Sequence, residues 1–283
     1  MDSIFSAAVA EMKESSSNFW GPYSFQDYLT DHGLSVSGAA PNYISCDSLA
    51  KLDHLLRAEN TMVLRLGRSK FGTGTQFALV KCRKSFDEYF LNDKQIFSDA
   101  EQKTFIPKTG EIDLFPFRLI GTHTEQLLVN LGFASGLIAT ALKLDKEHQP
   151  KIPAMGSATC DFRVRPRSDL NVIVDHRHGQ LQIDSLFVGI RNEQPILFVV
   201  EAKSDNTTSV AKHKLVYPIL ALAHKLESDI PIVPVYLRVK KIKGKLAYQI
   251  VECSFPDPRL NDDPAIDSLD TKRAVCFALS ASI

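Results

Sequence analysis

The sequence predicts an α/β (α+β) protein: a mixed β-sheet flanked by helices, preceded by an N-terminal α+β extension. Two observations lead there. Short runs rich in β-branched and aromatic residues recur between polar turns, and two longer segments in the second half carry apolar residues at helical spacing. The 44% hydrophobic fraction is that of an ordinary globular protein, so the chain can bury a core.

In chain order, residues 3–13 predict a short helix, and 47–58 (DSLAKLDHLLRA) predict a second, capped by Asp47 or Ser48. Segments 62–66 and 75–80 read as a hairpin around Gly67-Arg68-Ser69-Lys70-Phe71-Gly72-Thr73-Gly74, a Gly-rich basic tip. Neither a helix nor a GK[ST] sequence follows that tip, so it is no phosphate-binding loop and no nucleotide cofactor is expected. Pro107, Gly110, Pro116 and Gly121 cluster among polar residues and set a boundary. Residues 1–115 then form an N-terminal region, for recognition or dimerisation or equally an elaboration packed on the core, and 116–283 form that core.

Within the second part, 124–143 (TEQLLVNLGFASGLIATALK) predicts a helix. Strands follow at 170–174, at 180–188 beyond the turn Asp175-His176-Arg177-His178-Gly179, and at 195–203. Next, 209–226 has helical spacing with Thr208 or Ser209 as cap, and Pro218 inside it predicts a kink or a later start. Segments 232–239 and 246–251 read as two more strands. The order is helix, three-strand meander, helix, strand.

An antiparallel hairpin over 180–203 brings Asp184 close to Glu201, and strand alternation puts Glu201 and Lys203 on one side. Two carboxylates and an ammonium thus converge. Hard cations such as Mg²⁺ take one or two protein carboxylates and complete their shell with water or phosphate oxygens. A neighbouring Lys can orient or deprotonate an attacking water, or neutralise a pentavalent phosphorane. Metal-assisted phosphodiester hydrolysis is the reaction these groups specify best. The run Ile196-Leu197-Phe198-Val199-Val200 before Glu201 marks a central strand, where a charge needs a partner or a task.

In Asp184, Glu201-Ala202-Lys203 and this element order, about 120–253 resembles the PD-(D/E)XK nuclease superfamily, the fold of most type II restriction endonucleases. Ile183 stands where the family pattern has Pro. The resemblance implies a restriction-endonuclease-like core with Asp184, Glu201 and Lys203 catalytic, and Asp184 and Glu201 holding one or two Mg²⁺ ions. It also implies a Glu on the first helix as a further member, for which Glu125 is the candidate. Thr122-His123-Thr124-Glu125 equally matches a capping box, which would occupy Glu125 locally.

The net charge is zero, which argues against nonspecific coating of nucleic acid. Basic residues still cluster. Arg68 and Lys70 at the hairpin tip, Arg163, Arg165 and Arg167, and Lys240, Lys241 and Lys243 are the expected DNA contacts. The three arginines suit base edges, and the lysines suit backbone phosphates. The expected partner is double-stranded DNA, read by a homodimer at a short palindromic site. The alternatives are a structure-selective or repair nuclease of the same fold, and a non-catalytic DNA-binding module.

Five cysteines without CxxC spacing support neither a zinc site nor a disulfide framework. No apolar run is long enough to span a bilayer, and the first residues lack the basic start and apolar block of a secretion signal. A cytoplasmic protein without a membrane partner is expected.

Overall fold

The computed structural model of the chain describes residues 3–280 apart from 71–73, 121–123, 146–151, 205, 228, 243–244 and 262. Its strands are β1 (Phe19–Ser24), β2 (Thr61–Arg68), β3 (Thr75–Lys81), β4 (Phe90–Asn92), β5 (Gln102–Phe105), β6 (Ala154–Val164), β7 (Val174–Arg191), β8 (Gln194–Lys203), β9 (Ser209–Ala211), β10 (Ile232–Ile242), β11 (Lys245–Ser254) and β12 (Asp270–Leu279). The helices are α1 (Ser6–Glu14), α2 (Phe25–Asp31), α3 (Pro41–Ile44), α4 (His54–Ala58), α5 (Asp93–Ile96), α6 (Glu111–Leu119), α7 (Glu125–Ala134), α8 (Leu137–Ala141) and α9 (His213–Ala223). One mixed sheet runs β1-β3-β2-β7-β8-β10-β11-β12-β5, with β6 paired to β7, and β4 and β9 form a small separate ribbon. This is the mixed α+β class that the sequence predicts.

The antiparallel β6-β7-β8 meander leads through α9 to β10, which lies parallel to β8 from Ile232 opposite Leu197 to Arg238 opposite Lys203. Phe187, Phe198, Val200 and Ala202 pack into one buried cluster with α7 and α8, and the rings of Phe187 and Phe198 stack at 5.1 Å. By alternation, Glu201 and Lys203 take the opposite face of β8. A second buried cluster joins α1, α2 and the β1-β3-β2 strands to β6, α9 and parts of β11 and β12. The region to residue 115 and the remainder therefore share buried side chains.

Several expectations need correction. The first meander strand is β6, not 170–174, of which only Val174 is in a strand. Residues 175–179, expected as a turn, lie within the 18-residue β7. Phe162 pairs with His176 and Cys160 with Gly179, so Asp161 faces both Arg177 and His178. His178 adopts φ 42°. Polar residues at a β-bulge imitate turn composition, because both depart from regular pairing.

The segment 124–143 forms two helices, since Gly136 at φ 75° breaks it between α7 and α8. Residues 209–211 pair with β4 rather than begin a helix, and α9 starts only at His213. Pro218 lies inside α9, at its sixth position, so the proline does not set that start. In 47–58 the cap is Asp53, whose carboxylate accepts from the Leu55 and Leu56 amides. Residues 49–51 form only a 3₁₀ turn. The five cysteines are buried and unbonded.

The N-terminal strands join the meander where β2 meets β7, at Gly67 opposite Arg177. Gly67 has φ +79°, and a Cβ there would lie 2.2 Å from the Arg177 carbonyl oxygen. Both the conformation and the close approach require glycine. Gly67→Ala is expected to cost on the order of 3 kcal/mol of stability in urea unfolding. A loss below about 1 kcal/mol would show that the joint is not tight.

Candidate active site

Asp184 lies where β7 is irregular. Ala154 pairs with Leu186 and Gly156 with Ile183, so Met155 faces two residues, Asp184 and Ser185. Such a bulge re-aims a side chain. Backbone pairing of β7 with β8 ends at Ser185 opposite Val200. One step further, the Asp184 side chain takes over: its Oδ2 accepts from the Ala202 amide at 2.8 Å. The Gln182 amide lies 3.4 Å from its other oxygen.

Glu201 is only 4% exposed. Its Oε1 accepts from Lys203 Nζ at 2.8 Å, and that ammonium also donates to the Ala202 carbonyl at 2.8 Å. Burial pushes the Glu201 carboxyl up to about 7; Asp184 adds to the rise, while Lys203 and Lys214 oppose it. For Lys203, burial pulls downward, but Glu201, Glu125 and Asp184 outweigh it and hold the ammonium above its usual range. Lys203 is thus a fixed cation. Of the three roles the sequence leaves open, a fixed cation fits orienting a water or neutralising a phosphorane, and not deprotonating a water.

Glu125 is the first residue of α7, and its neighbour Thr124 is the cap, accepting from the Leu127 amide at 3.2 Å. The capping box with Glu at the third helical position does not form. Instead, Glu125 Oε1 accepts from the Ser204 amide at 3.1 Å, and Oε2 stands 3.9 Å from Lys203 Nζ. The structure therefore brings Asp184, Glu201, Lys203 and Glu125 into one cluster. Asp184 and Glu125 line a groove of about 630 Å³ between the start of α7, β6, β7 and α9.

Further polar residues belong to the groove. Lys214, Arg65 and Gln182 all line it. Gln182 was legible, because it sits two positions before Asp184 on the same strand. Arg65 belongs to the basic, acid-free run of residues 61–85, whereas Lys214 comes from a distant segment and no local spacing reveals it. Arg65 is half-buried, and that burial lowers its guanidinium from its ordinary value.

The expected DNA contacts divide. Arg68, Lys70 and Arg163 line a second concavity of about 640 Å³, where the N-terminal hairpin meets β6 and β7. Arg163 is exposed and pairs with Asp263 at 3.0 Å. Arg165 donates to the Leu170 carbonyl at 2.9 Å and is half-buried. Arg167 must be corrected: it is 3% exposed, bound by Asp169 and the Lys81 carbonyl, and holds the N-terminal strands rather than facing solvent. Lys240 turns inward to Asp93 at 3.4 Å, beside the buried pair Arg238–Asp93 at 2.8 Å. Lys241 is exposed. Lys243, His123 and the hairpin tip at 71–73 lie outside the described residues.

Among the described residues, no three His, Cys, Asp or Glu side chains form a group able to hold a metal ion by themselves. The donor set does fit a hard ion that keeps water or phosphate oxygens, which needs only one or two carboxylates. Glu201, driven up by burial and by Asp184, is a site whose repulsion a divalent cation would relieve.

Residues 90–273 match the family described as a domain of unknown function, DUF6997, and the chain belongs to that family. Neither a curated protein nor a solved structure matches it. Among the described residues no helix is long and apolar enough to cross a membrane.

Below pH 4.5 the Glu201 carboxyl is protonated in both folded and unfolded chains, and between 4.5 and about 7 only the folded chain keeps the proton. Stability should therefore fall as pH rises through that window, with the full cost present above it. Urea unfolding of wild type and Glu201→Gln across pH 4–8 checks this. The fall should be specific to wild type, and parallel profiles would contradict it.

Proposed function

We propose that the protein is a Mg²⁺-dependent endodeoxyribonuclease that hydrolyses phosphodiester bonds of double-stranded DNA at a short specific sequence, as a type II restriction endonuclease does. The observation that carries this reading is the convergence of Asp184, Glu201, Lys203 and Glu125 beside one open groove. Its support includes the element order α7, β6-β7-β8, α9, β10 with β10 parallel to β8. That is the order expected of the PD-(D/E)XK core.

Asp184 and Glu201 would hold Mg²⁺, which supplies charge neutralisation at the phosphate. The protein's own groups do the rest. Lys203, fixed as a cation by two acceptors at 2.8 Å, presents positive charge where the phosphorane develops and orients the attacking water. Ala202 N and Ser204 N, on either side of Lys203, hold Asp184 and Glu125 by backbone hydrogen bonds. The motif strand thus positions its own carboxylate partners. Arg65 and Lys214 on the groove offset the acidic cluster where a phosphate backbone would enter.

Arg68, Lys70 and Arg163 remain the proposed phosphate or base contacts, on the neighbouring concavity. A homodimer acting on a two-fold symmetric site in the cytoplasm completes the reading. A structure-selective nuclease of the same fold is the second reading, and plasmid digestion separates the two by discrete against dispersed products.

Lys203→Ala should retain DNA binding in a gel-shift assay with Ca²⁺ and lose cleavage by a factor of about 10² or more with Mg²⁺. A variant that cuts at the wild-type rate would overturn the assignment.

A further inference from the structure

Behind the groove lies a small recess of about 70 Å³, and the two share Arg65, Gln180, Gln182 and Lys214. Its inner wall is Tyr217 and His213 from α9, with His176 from β7. These rings pack together: His213 lies 5.2 Å and His176 5.3 Å from Tyr217, and Phe162 stacks on His176 at 4.3 Å.

Two wall groups are deeply buried and carry unused hydrogen-bonding capacity. His213 is 8% exposed and Tyr217 is 4% exposed. The His213 Nδ1 and Tyr217 hydroxyl have no hydrogen-bond partner among the described residues. Buried polar atoms are normally paired, so two at one recess point to a ligand group that pairs with them. Burial also keeps His213 and His176 neutral, at about 3 and about 4, and the charged lining groups Asp47 and Lys214 pair with each other at 2.7 Å, so the ring wall suits an uncharged ligand.

The mouth holds two amide side chains, Gln180 and Gln182, two positions apart on β7, and the Arg65 guanidinium. Amides and guanidinium present planar, paired hydrogen-bonding edges, the chemistry that reads the edge of a nucleobase. A recess of this size admits one edge of a planar heterocycle, with the sugar and phosphate left in the groove. Gln182 links the two places directly, through its amide 3.4 Å from Asp184.

We propose that this recess binds the edge of a single unstacked nucleobase adjoining the scissile phosphate, and that Tyr217, His213, Gln180 and Gln182 select which base it is. Base selection rests on the nuclease reading for its purpose. Its physical content does not, because recognition of the base requires neither phosphate nor metal. An extruded base carries its hydrogen-bonding edge free of pairing, so the protein can read the whole edge.

The test uses the four deoxynucleosides, with 2-deoxyribose as control, titrated into the full chain without divalent ions and followed by ligand-observed NMR. One deoxynucleoside is expected to bind about tenfold tighter than the weakest, with 2-deoxyribose not binding. Tyr217→Phe and Gln182→Leu should each weaken the preferred one by about fivefold to tenfold, the loss of one hydrogen bond. Gln182 is exposed, so its variant carries the test if Tyr217→Phe fails to fold. Equal binding of all four, no binding, or both variants behaving as wild type would overturn the proposal. A protein that discriminates deoxynucleosides yet leaves DNA uncut would keep the recess and lose the nuclease reading.

Discussion

The ion pair between Glu201 and Lys203 organises the candidate site. A carboxylate buried on a central strand carries a desolvation cost, and the ammonium two residues on, at 2.8 Å, offsets it. That requirement fixes Lys203 as a cation and leaves a partly unrelieved acidic cluster beside the groove. Its neighbours follow from the same strand. The amides of Ala202 and Ser204 flank Lys203, and they hold Asp184 from β7 and Glu125 from α7. One strand end therefore gathers groups from three elements through two backbone donors and one ammonium.

The sheet makes this possible by ending its regular pairing at the right place. If β7 paired with β8 two steps beyond Ser185, with Ile183 opposite Ala202, the Ala202 amide would be engaged by backbone and Asp184 would lose its anchor. The irregularity opposite Met155 coincides with the position of the acidic side chain, as bulges beside sites commonly do. Beside the site, on the same face of the sheet, Arg238 stands opposite Lys203 on β10 and pairs with buried Asp93, while Tyr236 stands opposite Glu201 and donates to the same Asp93. The face that carries the cluster thus continues into a second polar network rather than into aliphatic packing alone.

Much of this was legible in the sequence. The apolar run before Glu201 and the alternation after it place the carboxylate and the ammonium correctly, because strand periodicity is a local rule. Glu125 could not be settled from sequence, since its competing role depended on whether Thr122 or Thr124 capped the helix. The structure chooses Thr124. β6 was missed because its glycine, serine and arginine content hides the alternation of Cys160, Phe162 and Val164, and the bulge at 177–178 reads locally as a turn. Arg167 looked like a surface arginine, yet its partners are Asp169 and the distant Lys81 carbonyl. Partnerships formed across long stretches of chain leave no local signal, and Lys214 at the groove is invisible for the same reason.

The neutral ring wall of the recess and the charged cluster at the strand end divide the groove by chemistry. One side offers hydrogen bonds to an uncharged planar group, and the other offers carboxylates and an ammonium to a phosphate. The most direct test of the central claim is incubation of the wild-type chain with supercoiled plasmid DNA in Mg²⁺ and in EDTA, resolved on an agarose gel. Discrete linear fragments are expected with Mg²⁺ and intact plasmid with EDTA. Intact plasmid in both, at protein concentrations that shift DNA in a gel, would contradict it.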